Sequence, residues 1–373
     1  MKVDEPRLER RPDHICLSAE INGRELWYKF PPFVKVGRLG DALLAAALLP
    51  AMVQGEPLEI DPALPVSPKL LENISTLQEI YSTWVPQFRK VEVRARTEPA
   101  QATGSSGGCF FSGGVDSSYT LLTLDQEISH ILFIKGVDMQ MENDWLWNES
   151  LAANRRVGEH FGKTFVPIES NIRFFGGKPI GWRFYQGGGL ASIALMLGFR
   201  KAFTSATFTY RELFPLGTHP LTDALWSTEA TELVHHGADV TRSDKIRQLA
   251  QDPALIQTLR VCWSDSDYNC GRCEKCVRTM TTLRVLGITT PTFPPLDSLA
   301  PLRRLKVRSP DNLTRAEENL RLATQAGERA LARLLTREIL RYKARRWLVE
   351  VDRLMFSGRF RRMWSRIQPE NSD

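Results

Sequence analysis

The stretch Cys109-Phe-Phe-Ser112-Gly113-Gly114-Val115-Asp116-Ser117-Ser118-Tyr119 decides how the chain is read. An apolar triplet suits a buried strand. Two consecutive glycines suit a tight turn in which backbone approaches a ligand closely. The residues from Asp116 to about Leu124 suit a helix opening directly out of that turn. The N-terminus of such a helix presents unpaired N–H groups and the positive end of its dipole, which together favour an anion. The lysine-bearing loop G-x-x-x-x-G-K-[ST] is absent.

Working outward, the middle third alternates strand and helix. Ile131–Ile134, Thr164–Ile168 and Ala202–Ser205 read as further strands, and Glu149–Phe161 and Gly189–Leu197 as helices. This pattern predicts an α/β fold with a doubly wound parallel sheet, and ligands in such sheets bind at the carboxyl ends of the strands. Residues 1–100 read as a small separate α+β domain. It has a hairpin turning at Asn22-Gly23, a helix from Asp41 to Val53, a strand at Leu58–Ile60, a helix capped by Ser67, and a strand at Phe88–Val93. The Gly/Ser/Thr-rich stretch 97–108 reads as a linker to a second domain, 101–290. Residues 291–373 read as a helical region, with high helix propensity from Arg315 to Ile339.

The 373 residues carry a net charge of +6, concentrated between Arg337 and Arg366, where ten Arg/Lys face three acids. That segment suits nucleic acid, an acidic partner or anionic lipid, although Trp347, Leu348, Val351, Leu354, Met355 and Phe356 are expected to pack on the body. The charged start is unlike a signal peptide, and the most apolar window, Leu43 to Val53, is too short to span a bilayer. The chain therefore reads as cytoplasmic, without a membrane span. Four of six cysteines crowd into Cys262-x₇-Cys270-Gly-Arg-Cys273-Glu-Lys-Cys276. In a chain of this kind the cluster reads as a metal site rather than a disulfide framework, with zinc as the expected ion and an iron–sulfur cluster as the chemical alternative. Arg272, Lys275 and Arg278 would offset the charge of a zinc tetrathiolate, and a closed set of four sulfurs implies a structural role.

Within the glycine turn, the hydroxyls of Ser112, Ser117 and Ser118 and the backbone of Gly113, Gly114 and Val115 suit phosphate oxygens. A carboxylate among phosphates is repulsive unless a cation lies between them, so Asp116 points to Mg²⁺; capping its own helix is the plainer role for it. Asp138 and Lys135, at the end of the second strand, are placed to reach a nucleotide or its metal. His219, Asp223, Arg242 and Lys245 are candidates for lining a substrate pocket, while Arg242–Lys245 would equally suit a helix cap. His235-His236 reads as incidental, and Cys109 as buried.

The pattern S-G-G-x-D-S resembles the PP-loop of the N-type ATP pyrophosphatases, on an adenine nucleotide α-hydrolase-like sheet. The spacing C-x₇₋₈-C-G-x-C-x₂-C resembles that of 7-cyano-7-deazaguanine synthase within that superfamily. The resemblance covers roughly 105–285. It implies ATP as cosubstrate with Mg²⁺ and Zn²⁺, catalytic roles for Asp116, Ser117 and Lys135, and nucleotide contacts from Ser112–Ser118, Asp138, Gly188 and Gly189. In this comparison Gln186-Gly-Gly-Gly189 takes the place of the family's glycine-led helix, and His219-Pro220-Leu221 resembles its Thr-Pro-Leu segment. The implied reaction is adenylation of a small-molecule carboxylate or carbonyl oxygen, followed by attack of ammonia or an amine, with an ammonia-supplying partner and a homodimer compatible with it. The flanking regions 1–100 and 291–373 go beyond the compact synthase. Two other readings fit the same loop: a tRNA-modifying enzyme of the thiolation type, favoured by the basic tail, and a non-catalytic nucleotide-binding protein.

Overall fold

A computed structural model describes residues 1–101, 106–137, 139–264, 266–296, 298–304 and 306–356. The chain divides into two compact units, Met1–Asn269 and Cys270–Asp373. The first contains strands β1 (Lys2–Val3), β2 (Arg7–Arg10), β3 (Ile15–Ile21) and β4 (Arg24–Phe30), helix α1 (Leu39–Gln54), β5 (Leu58–Ile60), α2 (Pro68–Trp84) and β6 (Val93–Arg94). It continues with β7 (Gly107–Phe110), α3 (Val115–Thr123), β8 (His130–Lys135), α4 (Asp144–His160), β9 (Thr164–Ser170), the short α5 (Ile172–Phe175) and α6 (Gly177–Leu197). β10 (Lys201–Ser205), β11 (Glu232–His236), α7 (Arg242–Leu249) and α8 (Pro253–Ile256) complete it.

All eleven strands belong to one mixed sheet, in the order β11-β10-β7-β8-β9-β4-β3-β1-β5-β6, with β2 on β3. The five strands from β11 to β9 are mutually parallel. Numbered by their own succession they run 5-4-1-2-3, so the order reverses between β7 and β10. That reversal is the topological switch point where doubly wound sheets open a crevice.

The expected boundary at residue 100 is absent, because the N-terminal strands extend the same sheet. β4 pairs antiparallel with β9 at Tyr28↔Ser170 and Lys29↔Glu169. The two regions also share one core, in which Leu17, Leu26 and Leu48 are buried with Val166, Ile193 and Met196. Helix α1 explains the merger. Residues 42–49 are fully buried on every side, and a helix that is apolar all round needs cover all round. The expected strand Phe88–Val93 shrinks to β6, while Phe88 turns its ring onto Tyr81 and Phe184.

Helix α6 starts twelve residues before Gly189, so Gly188 and Gly189 lie inside a helix rather than at a phosphate-binding start. Their role in the structure is close packing. A Cβ on Gly188 would fall 2.6 Å from the Ala45 carbonyl oxygen of α1 and against the Trp226 ring. At the same crossing, Pro50 supplies no N–H to the Ala46 carbonyl. The buried Tyr185 hydroxyl of α6 donates to that carbonyl instead, at 2.8 Å. Gly188→Ala is accordingly expected to destabilise the fold by about 1–3 kcal/mol, because backbone must move to admit the methyl. Urea denaturation checks this, and an unchanged midpoint would refute the packing assignment.

The second unit holds α9 (Glu274–Leu286), α10 (Pro310–Gln325) and α11 (Arg329–Phe356) around Val277, Leu302, Ala323, Leu331 and Leu335. Its boundary at Asn269/Cys270 places α9 with the C-terminal helices and not with the sheet. The helical run expected from Arg315 to Ile339 is broken at Gly327, which takes a left-handed φ of 71°. No helix among the described residues is long and apolar enough to cross a membrane.

Candidate anion site and cysteine cluster

The glycine turn sits at the carboxyl end of β7, at the switch point between β7 and β10. The Phe111 N–H still donates to Leu132 of β8 at 2.8 Å, and the chain then leaves the sheet. Gly113 has φ 73°, and a Cβ there would lie 2.8 Å from Asn154 Oδ1 of α4. Only glycine fits both the conformation and the space. Gly114 is the N-cap of α3, extended at φ −82° and ψ 168°, and no side chain caps the helix. Asp116 therefore does not cap its own helix; it lies in the first turn. The loop closes on itself through long contacts. Ser117 Oγ accepts from the Ser112 N–H at 3.3 Å, and Ser112 Oγ from the Gly114 N–H at 3.4 Å. Ser117 and Ser118 are both buried, and Ser112 is half-buried.

Cationic charge gathers at this turn. Arg242 Nη1 donates to Asp116 Oδ2 at 2.7 Å and Lys245 Nζ to Asp116 Oδ1 at 3.3 Å. Both come from the first turn of α7, whose N-cap is Thr241 rather than either residue of the pair. Lys245 is 2% exposed and also donates to the Ala206 carbonyl at 2.6 Å, just beyond β10. Arg260 is tied to the loop through its backbone, donating to the Gly113 carbonyl at 2.9 Å, and is 4% exposed. Among the described residues, Arg260 Nε and Nη2, Arg242 Nε and Asn154 Nδ2 are buried without a hydrogen-bond partner. Two cations meet one carboxylate, a third is tied by its backbone to the same loop, and four buried donor atoms of these residues and Asn154 lack an acceptor. Orphan donors of this kind are costly, and an anion received at the turn would satisfy them.

The remaining expected residues divide. Lys135 is buried and paired with Asp144 of α4 at 2.6 Å, which holds its ammonium on that helix. Asp138 lies outside the described residues. His219 and Asp223 belong to a separate buried network. Asp223 accepts from the His219 N–H at 3.0 Å and from Thr204 Oγ1 at 2.6 Å, and meets His235 Nδ1 at 2.7 Å. Burial, and next the neighbouring His235, hold His219 below the ordinary imidazole range, against the raising effect of Asp223. The network ties the segment after β10 to β11, so His235 is structural rather than incidental. His236 stacks on Tyr119 at 5.7 Å and meets Thr120. Cys109 is buried as expected, and burial pushes its thiol up to about 12. Arg260 and Asn154 carry no motif; the one sequence signal is the charge of Arg260 between Leu259 and Val261.

The four clustered cysteines are brought together, with all their sulfurs within 4.8 Å of one another. Cys270 and Cys276 Sγ are 4.0 Å apart, near the edge of about 3.8 Å that a sulfur tetrahedron has around zinc at about 2.3 Å. Backbone N–H groups point at the sulfurs: Ser264 to Cys262 at 3.2 Å, Cys273 to Cys270 at 3.3 Å and Cys276 to Cys273 at 3.4 Å. Such bonds orient thiolates and stabilise their charge. The donor set is compatible with one tetrahedral zinc ion. Arg278, expected to offset the thiolate charge, lies 3.7 Å from Glu274 on its own helix.

No protein-family model matches the chain, and neither the curated proteins nor the solved structures yield a match.

Proposed function

We propose that this protein is an ATP-dependent adenylating enzyme of the PP-loop type, with the β7–α3 turn holding the phosphates of ATP. The observation that carries the reading is the uncapped glycine turn at the switch point, surrounded by buried guanidinium and amide donors that have no acceptor. A polyphosphate supplies acceptors to all of them at once. The motif Ser112–Ser118, with its resemblance to the pyrophosphatase loop, makes the α–β bond of ATP the one cleaved.

In this reaction an oxygen of a carboxylate or carbonyl substrate attacks the α-phosphorus. The bond to the bridging oxygen breaks, and pyrophosphate leaves with the electron pair. Ammonia or an amine then attacks the activated carbon, AMP departs with the carbon–oxygen bonding pair, and one proton is released to solvent. The chain contributes by positioning and by charge. Arg242, Lys245 and Arg260 bring positive charge to the departing pyrophosphate in a site that water reaches poorly. Among the described residues Asp116 is the carboxylate at the turn, which suits Mg²⁺, an ion commonly held by one or two carboxylates plus substrate phosphates. The four cysteines would hold zinc as a structural ion, closed to substrate.

Incubation with ATP, Mg²⁺ and a panel of small carboxylic acids and ammonium tests the proposal. The expected products are AMP and pyrophosphate, dependent on one acid of the panel. Release of ADP and orthophosphate would overturn it, as would failure of ATP to bind.

A further inference from the structure

Helix α11 carries two apolar faces. Leu331, Leu335 and Ile339 are buried against the other helices of the second unit. At 3.6 residues per turn, Leu340, Ala344, Trp347, Leu348, Val351, Leu354 and Met355 fall on the opposite side of the same helix. This second stripe was expected to pack on the body. Its large side chains are instead exposed, Leu340 by 60%, Trp347 65%, Leu348 58%, Leu354 72% and Met355 73%, while Val351 is half-buried.

The charge beside the stripe indicates what covers it. Arg341 and Arg345 border one edge and Lys343 the other, and all three are exposed. Arg341 pairs with Glu338 of its own helix and Lys343 with Glu317 of α10 at 2.7 Å, whereas Arg345 and Arg346 have no acidic partner among the described residues. The basic character continues along the sequence, with ten Arg/Lys against three acids between Arg337 and Arg366. A nucleic acid would take the charges but leave a stripe of leucine, valine and methionine in water. A second copy of the chain would cover the stripe but bring two strongly basic segments together. An anionic lipid surface satisfies both features, since interfacial helices bury a Trp/Leu face at the headgroup boundary and keep basic side chains at headgroup level.

We infer that Leu340–Met355 is a membrane-surface helix, which lies on an anionic leaflet with its apolar stripe inward and with Arg345, at the edge of the stripe, on the lipid phosphates. The inference is independent of the chemistry at the glycine turn.

Co-sedimentation of the full chain with vesicles tests it, comparing phosphatidylcholine alone with phosphatidylcholine containing about one third phosphatidylglycerol. Binding to the anionic vesicles is expected to exceed binding to the neutral ones by at least about tenfold and to weaken as salt rises. A Leu348→Glu/Leu354→Glu variant is expected to lose most of this binding with its circular dichroism unchanged, because both side chains are exposed. Equal binding to both vesicle types would overturn the inference. So would unaltered binding by the variant, or association only with a polyanion such as heparin or with a second copy of the chain.

Discussion

Asp116→Asn is expected to reduce pyrophosphate release by about a hundredfold or more, the usual consequence of removing a charged group that acts on the reacting phosphates. Asp116 has a second role that must be separated from the first. Its carboxylate neutralises Arg242 at 2.7 Å and Lys245 at 3.3 Å, and Lys245 is 2% exposed. Breaking a buried ion pair from one side typically costs about 3–5 kcal/mol, because the partner charge is left behind. The single variant should therefore lose stability as well as activity. Asp116→Asn/Arg242→Gln removes one cation together with the carboxylate. It is expected to recover a good part of the stability while pyrophosphate release stays low. Added ATP should raise the unfolding temperature of Asp116→Asn, since triphosphate supplies the missing negative charge to Arg242 and Lys245. If the double variant regains activity along with stability, Asp116 serves only the fold, and its place in the chemistry is lost.

The parts of this site that the sequence displays are those built from adjacent residues. Strand, glycine turn and helix start follow one another within Cys109–Leu124, and each leaves a local signature. The cysteine spacing is similarly short-ranged. What brings Arg242 and Lys245 to Asp116, and the Arg260 backbone to Gly113, is the winding of the sheet, which no local pattern encodes. The same holds for the union of residues 1–100 with the parallel strands, which depends on β4 meeting β9 across some 140 residues. One clue was present in α1, whose leucines and alanines leave no polar face. A helix of that composition is incompatible with a small peripheral domain. The glycines at 187–189 misled for a different reason. Glycine in sequence signals helix ends and phosphate loops, yet here Gly188 lets the helix approach the α1 backbone and Gly187 the Gly217 backbone, roles visible only once the partners are known. Lys135 follows the same logic, since Asp144, its partner, lies one loop further along the chain.

Removal of metal is expected to have its largest effect on the helical unit. Cys273 is the N-cap of α9, and Cys276 is fully buried in its first turn. Val277, next in sequence, packs with Leu302, Ala323, Leu331 and Leu335. A metal at the four sulfurs thus fixes the start of the helix on which that core is assembled. Without it, the thiolates take up protons and the first turn of α9 loses its anchor, so binding energy and folding energy become one quantity. The chain is expected to carry about one zinc ion, held by Cys262, Cys270, Cys273 and Cys276. Cys276→Ser or prolonged chelation should lower the unfolding temperature by about 10 °C or more, corresponding to a few kcal/mol in a unit of this size. Metal content follows from elemental analysis, and stability from thermal unfolding by circular dichroism. Re-addition of zinc should restore the chelated protein but not Cys276→Ser. Iron in place of zinc, or chelation that strips the metal without shifting the transition, would remove the structural assignment.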